Sequence, residues 1–306
     1  MIIVVCPGQG SQTPGFIEPW VQDSSARQLI ESLSDSAGVD LIKHGTHSDA
    51  DTIRDTAIAQ PLIVAAGILT LDALSETDHL SKTHGIAGHS VGEFTAATGA
   101  GILDAHDAVK LVGIRGRAMA EAAKKVPTGM SAVIGGDDAE VISAITALGI
   151  EPANYNGGGQ LVVAGELSAL AALAENPPAG ARVIPLQVAG AFHTHFMSSA
   201  VDTLRGAAES VNTSDPIKTI WTNKDGSAVD KGHTFRDLMV GQVSSPVRWD
   251  MCMESFAQAG VTGIIEIAPA GALVGLAKRA LKGIPTVAIK SPEDLIAARE
   301  LIDSLG

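Results

Sequence analysis

The sequence predicts an α/β protein: a largely parallel sheet covered by helices on both faces, with a smaller unit inserted into it. Three features carry that expectation. Strand-like apolar runs alternate with helix-period segments over residues 1–125 and again over 191–306. Between them, over 126–190, the rhythm shortens to strand, helix, strand, strand, helix, strand. And "GHSVG" at 88–92 stands where a strand gives way to a helix, with Ser90 between two glycines.

In order, "IIVVC" (2–6) reads as a buried strand, and the turn "PGQGSQ" follows it. Apolar-periodic helices follow near 26–34 and 60–74, and "HGIAGH" (84–89) is a strand entering the Ser90 turn. A helical stretch begins after Gly92, and a long helix runs from about Asp104 to Lys125. In the inserted unit the strands are "MSAVIGG", 151–155, "QLVVAG" and "ARVIPLQVA" (181–189), with "DDAEVISAITALG" and "ELSALAALAE" as helices. That order is the split βαβ, ferredoxin-like arrangement, so 126–190 is expected to be a small domain within a large one made of 1–125 and 191–306. The chain then gives a helix (194–210), the strand "IKTIWT" (217–222) and a helix near 246–258. It closes with "GIIEIAP", a helix at 272–281, "PTVAI" and a last helix at 292–304.

A chain of 306 residues can bury one large core, or a core with a satellite. With 45% hydrophobic and 18% charged residues it is an ordinary globular composition. No apolar run approaches the roughly 20 residues that span a bilayer. "MIIVVC" has no basic leader before it, so it reads as a strand and not a signal peptide. A cytoplasmic protein without membrane contact is the expectation, and a monomer. The net charge of −13 argues against a nucleic-acid partner, which needs a basic face. The two cysteines, Cys6 and Cys252, lie in apolar segments and read as buried thiols. Metal-ligand spacings are absent, and neither a metal nor a cofactor is expected.

A Gly-x-Ser-x-Gly turn between strand and helix is the geometry of a nucleophile elbow, because glycines allow a sharp corner free of Cβ clashes. The Ser90 hydroxyl would stand at the mouth of the site, and the N–H of Val91 with the helix N-terminus would face an oxyanion. The plainer alternative is a tight strand–helix turn. A serine needs a base. The histidines are His44, His47, His79, His84, His89, His106, His193, His195 and His233, and residues 234–306 contain none. The late histidine of an ordinary serine hydrolase is therefore missing. His193, in "VAGAFHTHFM", follows a strand and opens the helix expected at 194–210, whose positive end disfavours an imidazolium. A general base has to be neutral. His195 is about 200° further round a helix, so both cannot face one site, and His193 is favoured. Otherwise the pair is one capping and one surface histidine.

On the long helix Ala108, Leu111, Val112, Met119 and Ala122 form an apolar stripe, and Arg115 lies in its middle, whereas Lys110 and Arg117 lie elsewhere. A guanidinium on an apolar face needs a carboxylate or phosphate. Two readings stay open: a structural ion pair with a buried acid, or a bidentate clamp for a substrate carboxylate beside Ser90.

"PGQGSQ", "GHSVGE", "RG-x-x-M" beginning at Arg115, "GAFH" and "PVRW", in this order from Cys6 to about Lys290, resemble the malonyl-CoA:acyl-carrier-protein transacylases of type II fatty acid synthesis. "NKDG", "GQV" and "FHTH" resemble the actinobacterial form. The resemblance implies an α/β-hydrolase-like large domain with the ferredoxin-like insert. It implies a malonyl group carried from coenzyme A to the phosphopantetheine thiol of acyl carrier protein through malonyl-Ser90, with His193 as base and then acid. It implies an oxyanion hole from Gln9 and the Val91 N–H, the malonyl carboxylate on Arg115, and His193 oriented by the backbone carbonyl of Gln242 where a triad would use an acid. Phe192, just before the base, would crowd a branch at C2 of the acyl group if it lines the pocket, as related domains with Phe here tend to take malonyl. Otherwise it packs between the two domains. An acidic carrier protein needs a local basic patch on this acidic chain, and Lys278, Arg279 and Lys282 in "GLAKRALKG" offer one, with Lys278 and Lys282 expected on one helix face. A solvated helix end is the other reading of that patch. Two further functions would fit the elbow: a serine hydrolase such as a thioesterase, and a non-catalytic scaffold that binds carrier protein.

Overall fold

A computed structural model describes residues 1–305. β1 (Ile2–Cys6) leads to α1 (Ser24–Ala37), α2 (Leu41–Thr46) and α3 (Thr56–Ser75). β2 (Gly85–Gly88) turns into α4 (Gly92–Gly99), and α5 (Ala105–Ala123) follows. Then come β3 (Thr128–Gly135), α6 (Asp138–Ala147), β4 (Glu151–Gly157), β5 (Gln160–Glu166), α7 (Leu167–Glu175) and β6 (Ala181–Pro185). The chain returns through α8 (Ser198–Ala208), β7 (Thr219–Trp221), α9 (Gly232–Gln242), β8 (Val247–Arg248) and α10 (Trp249–Gln258). It ends with β9 (Gly263–Glu266), α11 (Ala272–Ala280), β10 (Thr286–Ala288) and α12 (Leu295–Leu305).

The large sheet has the order β10-β9-β1-β2-β7, and every pairing in it is parallel. β1 is buried along its whole length, as a central parallel strand covered on both faces must be. Its alternate residues feed different cores: Ile2, Val4 and Cys6 pack toward α3 and α5, and Ile3 and Val5 toward Trp221, Trp249 and Phe256. The small sheet has the order β6-β3-β5-β4-β8. Its first four strands pair antiparallel in the ferredoxin-like order, over a core that includes Val133, Val141, Ile145 and Val163. β8 adds to its edge in parallel with β4, so the small sheet takes its fifth strand from outside residues 126–190.

Aspartates set many helix starts. The side chains of Asp23, Asp40, Asp55, Asp104 and Asp137 each accept a backbone N–H in the first turn that follows. Several expectations need correction. The strand expected over 181–189 stops at Pro185, and Leu186 and Val188 turn toward the Ser90 cavity instead. The helix expected from 246 begins at Trp249, because 247–248 is the edge strand β8. The helix expected over 194–210 is a 3-10 turn at His195–Met197 followed by α8. α2 and α9 are additional; the buried stripe of α9 is thin, Phe235, Met239 and Val240 between two glycines, and gives little periodicity. An apolar stretch of spanning length does exist: α3 has 20 residues and an 18-residue window of mean hydropathy 1.8, but 78% of that window is buried in protein. A helix apolar all round is accounted for here by packing on every side.

Candidate active site

β2 ends at Gly88 and α4 begins at Gly92, so the chain turns a corner between them. Ser90 sits at the corner with φ of 53°, a left-handed conformation that residues other than glycine rarely adopt. Space demands the flanking glycines. A Cβ on Gly88 would lie 2.1 Å from the Gly92 carbonyl carbon, and one on Gly92 would lie 2.2 Å from Cys6 O. The corner's own hydrogen bonds run from Gly92 N–H to His89 O and from Glu93 N–H to Ser90 O, and neither uses Val91 N–H. Asn223, just after β7, clamps the corner from outside. Its Oδ1 accepts Ser90 N–H at 2.7 Å and its Nδ2 donates to Gly88 O at 2.7 Å.

Ser90 Oγ lies 2.7 Å from His193 Nε2, and His193 Nδ1 lies 2.9 Å from the backbone carbonyl of Gln242. A carbonyl only accepts, so Nδ1 carries the proton and Nε2 is left to accept from the serine. His193 is buried, and burial first and Arg115 second lower it from 6.5 to about 3. It does not open a helix. Its φ is 63°, and the first helical turn begins at His195. Its neutrality therefore comes from desolvation and a neighbouring cation, not from a helix terminus. His195 points to solvent and meets Glu151.

Arg115 is 1% exposed and reaches into the same place. Its Nη1 donates to Gln60 Oε1 at 2.7 Å and its Nη2 to Gln242 Oε1 at 3.0 Å, and Nη2 stands 3.5 Å from Ser90 Oγ. Phe94 presents its ring 6.0 Å from the guanidinium carbon, and Nε has no partner. Among the described residues no carboxylate lies within ion-pair distance of Arg115. Glu93 is the acid that acts on it electrostatically, with the Gln242 amide between them. Burial lowers the guanidinium to about 10, which still leaves it charged at neutral pH. Burial pushes the Glu93 carboxyl up, opposed by the Asn223 N–H and by Arg115, and with an N–H donor facing each of its oxygens it is the carboxylate that these contacts suit.

Ser90, Val91, His193, Gln9, Gln60 and Phe192 share the lining of one narrow cavity of about 80 Å³. A wider one of about 490 Å³ shares Gln9, Leu186 and Val188 with it as lining residues. Gln9 donates Nε2 to Arg54 O at 3.3 Å, and its buried Oε1 has no partner. The arrangement is a half-buried serine against a buried imidazole, with a cation beside the serine, at the carboxyl end of a parallel strand.

A family model described as an acyl transferase domain matches residues 3–295. A malonyl CoA-acyl carrier protein transacylase of Mycobacterium tuberculosis is 49% identical over 296 residues, which is 96% of this chain and 98% of that one. The chain belongs to the malonyl CoA-acyl carrier protein transacylase family. A transacylase of Escherichia coli is 32% identical over 304 residues, 97% of this chain and 98% of the relative. The crystal structure of MCAT from Mycobacterium tuberculosis superposes with a TM-score of 0.95 at 48% identity, covering 98% of this chain and 99% of that one. A malonyl-transacylase solved in complex with its type II PKS acyl-carrier protein gives a TM-score of 0.92 at 30% identity, with 98% and 99% covered.

In this transacylase the structure brings Ser90, Val91, His193, Gln9, Phe192, Arg115 and Gln242 to one place. Lys278, Arg279 and Lys282 lie apart, exposed on the surface. Since α11 ends at Ala280, Lys282 lies beyond the helix and does not share a helical face with Lys278. Sequence reasoning missed Asn223, Glu93 and Gln60. Glu93 was visible as the last residue of "GHSVGE" and Asn223 as the first of "NKDG", but each also suits an ordinary local role, an acid in a first helical turn and a turn former.

Proposed function

We propose that this transacylase carries a malonyl group on Ser90 and that Arg115 holds the malonyl carboxylate. The observation that carries the reading is the placement of Arg115: a buried guanidinium with no carboxylate against it, 3.5 Å from the serine oxygen that His193 can deprotonate. Glu93 acts on this cation only across the Gln242 amide, so an anion placed directly against the guanidinium offsets more of its burial cost. Malonyl supplies it; acetyl does not.

The chemistry follows from the atoms. As Ser90 Oγ attacks the thioester carbonyl of malonyl-CoA, His193 Nε2 takes its proton. The Gln242 carbonyl stabilises the imidazolium through Nδ1–H. The backbone N–H groups of Gln9 and Val91 receive the oxyanion. Collapse breaks the C–S bond, and the coenzyme A thiolate takes the proton from His193. The carrier protein's phosphopantetheine thiol then gives its proton to His193 and attacks the ester, and Ser90 leaves with that proton. Residues 126–190 act in this scheme as a second domain whose β4 and β5 wall the cavity through Asn154 and Val162. The acidic carrier protein docks through Lys278, Arg279 and Lys282, beside the β4–β5 turn, where Arg279 Cβ approaches within 3.3 Å of a Cβ placed on Gly158. Reversing the charge of Lys278 and Lys282 is expected to raise KM for carrier protein a few-fold, on the order of one lost surface ion pair each, and to leave KM for malonyl-CoA alone. Unchanged carrier-protein kinetics would move the docking surface elsewhere.

The test of the function is a product assay with malonyl-CoA and holo carrier protein. Malonyl-carrier protein is expected as the main product. Free malonate as the main product would make the chain a thioesterase, and no turnover would make it a scaffold.

A further inference from the structure

Glu93 is a buried carboxyl group that the chemistry above does not use. It is 1% exposed, in the first turn of α4, three residues from the nucleophile. Both of its oxygens face donors: Oε1 accepts Asn223 N–H at 2.7 Å, and Oε2 accepts Gln242 Nε2–H. Gln242 is the residue whose backbone carbonyl holds His193, and its side chain does something separate. Its Nε2 is surrounded by acceptors: Glu93 Oε2, Ser90 O at 3.1 Å and Asn223 Oδ1 at 3.1 Å. Its Oε1 then faces a donor, Arg115 Nη2, at 3.0 Å. Only one orientation of the amide suits these partners. Reversed, it would set Oε1 against a cluster of acceptors and Nε2 against a guanidinium.

We infer that Glu93 is a positioning residue for the acyl carboxylate clamp: through the Gln242 amide it fixes Arg115 Nη2 beside Ser90, and so contributes to the choice of malonyl over acetyl. The inference rests on the reading of Arg115 as that clamp. Glu93 touches neither substrate nor the reacting atoms. Gln60 holds Nη1 from the other side, and Nε is unpartnered, so Gln242 is the restraint on the half of the guanidinium nearest the nucleophile. A glutamine at position 93 keeps the shape but turns one acceptor into a donor. That donor must face either Asn223 N–H or Gln242 Nε2–H. Relief comes from reversing the Gln242 amide, which pushes Arg115 away. The His193–Gln242 carbonyl bond is a backbone contact and survives that reversal.

The experiment measures kcat and KM for malonyl-CoA and acetyl-CoA, per active site titrated by acyl-enzyme formation, in Glu93→Gln, Arg115→Ala and the double variant. Glu93→Gln is expected to lower kcat/KM for malonyl about 10-fold or more, mostly through KM, and to change that for acetyl less than about 3-fold. In the Arg115→Ala background it is expected to add little, because both changes remove one clamp. Should Glu93→Gln not fold, Glu93→Asp keeps the charge but draws the carboxylate back from the Gln242 amide, and it is expected to show the same malonyl-specific loss. Equal losses for malonyl and acetyl, or full additivity with Arg115→Ala, would overturn the inference. If Arg115→Ala itself loses both substrates alike, it is the clamp reading that fails; if Arg115→Ala is malonyl-specific and Glu93→Gln is not, only the role of Glu93 fails.

Discussion

Ser90 stands between two unlike neighbourhoods. On one side His193 is buried and gives up its charge, with burial and Arg115 lowering it from 6.5 to about 3. On the other side Arg115 is as deeply buried and keeps its charge, supported by Gln60, Gln242, the Phe94 ring and the electrostatic influence of Glu93. The difference is chemical. An imidazole escapes desolvation by releasing a proton, and the neutral form is the one a base needs. A guanidinium cannot release one at neutral pH, so it must be surrounded by oxygens. In the proposed mechanism the first neighbourhood makes the nucleophile and the second selects what it attacks. Variants on the two sides should therefore fail differently.

The largest effect is expected on the first side. His193→Ala should lower transfer by about 10³-fold with malonyl and acetyl donors alike, whereas His195→Ala should be mild because that ring lies outside the site. A crippled His195→Ala variant would show that the wrong histidine has been assigned. The pH dependence has a definite sign. Because His193 stays neutral in the folded protein well below 6.5, single-turnover acylation should not decline between about pH 7.5 and 5 as an ordinary imidazole would make it. Stability moves the other way. Below 6.5 the unfolded chain binds a proton that the folded one refuses until about 3, so this residue's effect is to make stability fall as the pH falls through that window. Denaturant titrations of His193→Gln should show a flatter acid limb. An acylation rate that drops through pH 6.5 would contradict the account.

On the second side Arg115→Ala should cut malonyl transfer about 100-fold while acetyl transfer holds or rises, since the loss of one charged pairing to substrate is worth a few kcal/mol. Equal losses would return Arg115 to a structural role and merge the two neighbourhoods. Phe192 sharpens the comparison at smaller scale. It is buried and lines the cavity with Ser90 and Met119. Phe192→Ser should shift kcat/KM toward methylmalonyl-CoA over malonyl-CoA by about 10-fold, on the order of one methyl group's fit, with a modest loss of Tm. A large fall in Tm with the ratio unchanged would mean that the ring serves packing alone.

How much of this was readable in advance follows the same division. The Ser90 corner announces itself locally, because a turn this tight permits only glycines at 88 and 92. Arg115 was visible as a cation breaking an apolar stripe, though its partners were not. The amides and acid that steady it come from α3, α4 and α9, far apart in the chain. Side-chain hydrogen bonds of that range leave no periodic trace in sequence, and α9 itself lacks a strong one. The strand and helix order was legible because burial imposes periods of two and 3.6 residues. β8 was not, since a strand of two residues, Val247 and Arg248, exists only because β4 offers an edge.

In the proposed reaction the malonyl group passes through an ester on Ser90. Intact mass of the protein mixed with malonyl-CoA alone tests it most directly, with peptide mapping of the adduct and the Ser90→Ala variant alongside. A single malonyl adduct is expected on the Ser90 peptide, absent from Ser90→Ala, that disappears on adding holo carrier protein as malonyl-carrier protein appears. An adduct that survives in Ser90→Ala, or transfer that proceeds at full rate without one, would contradict it.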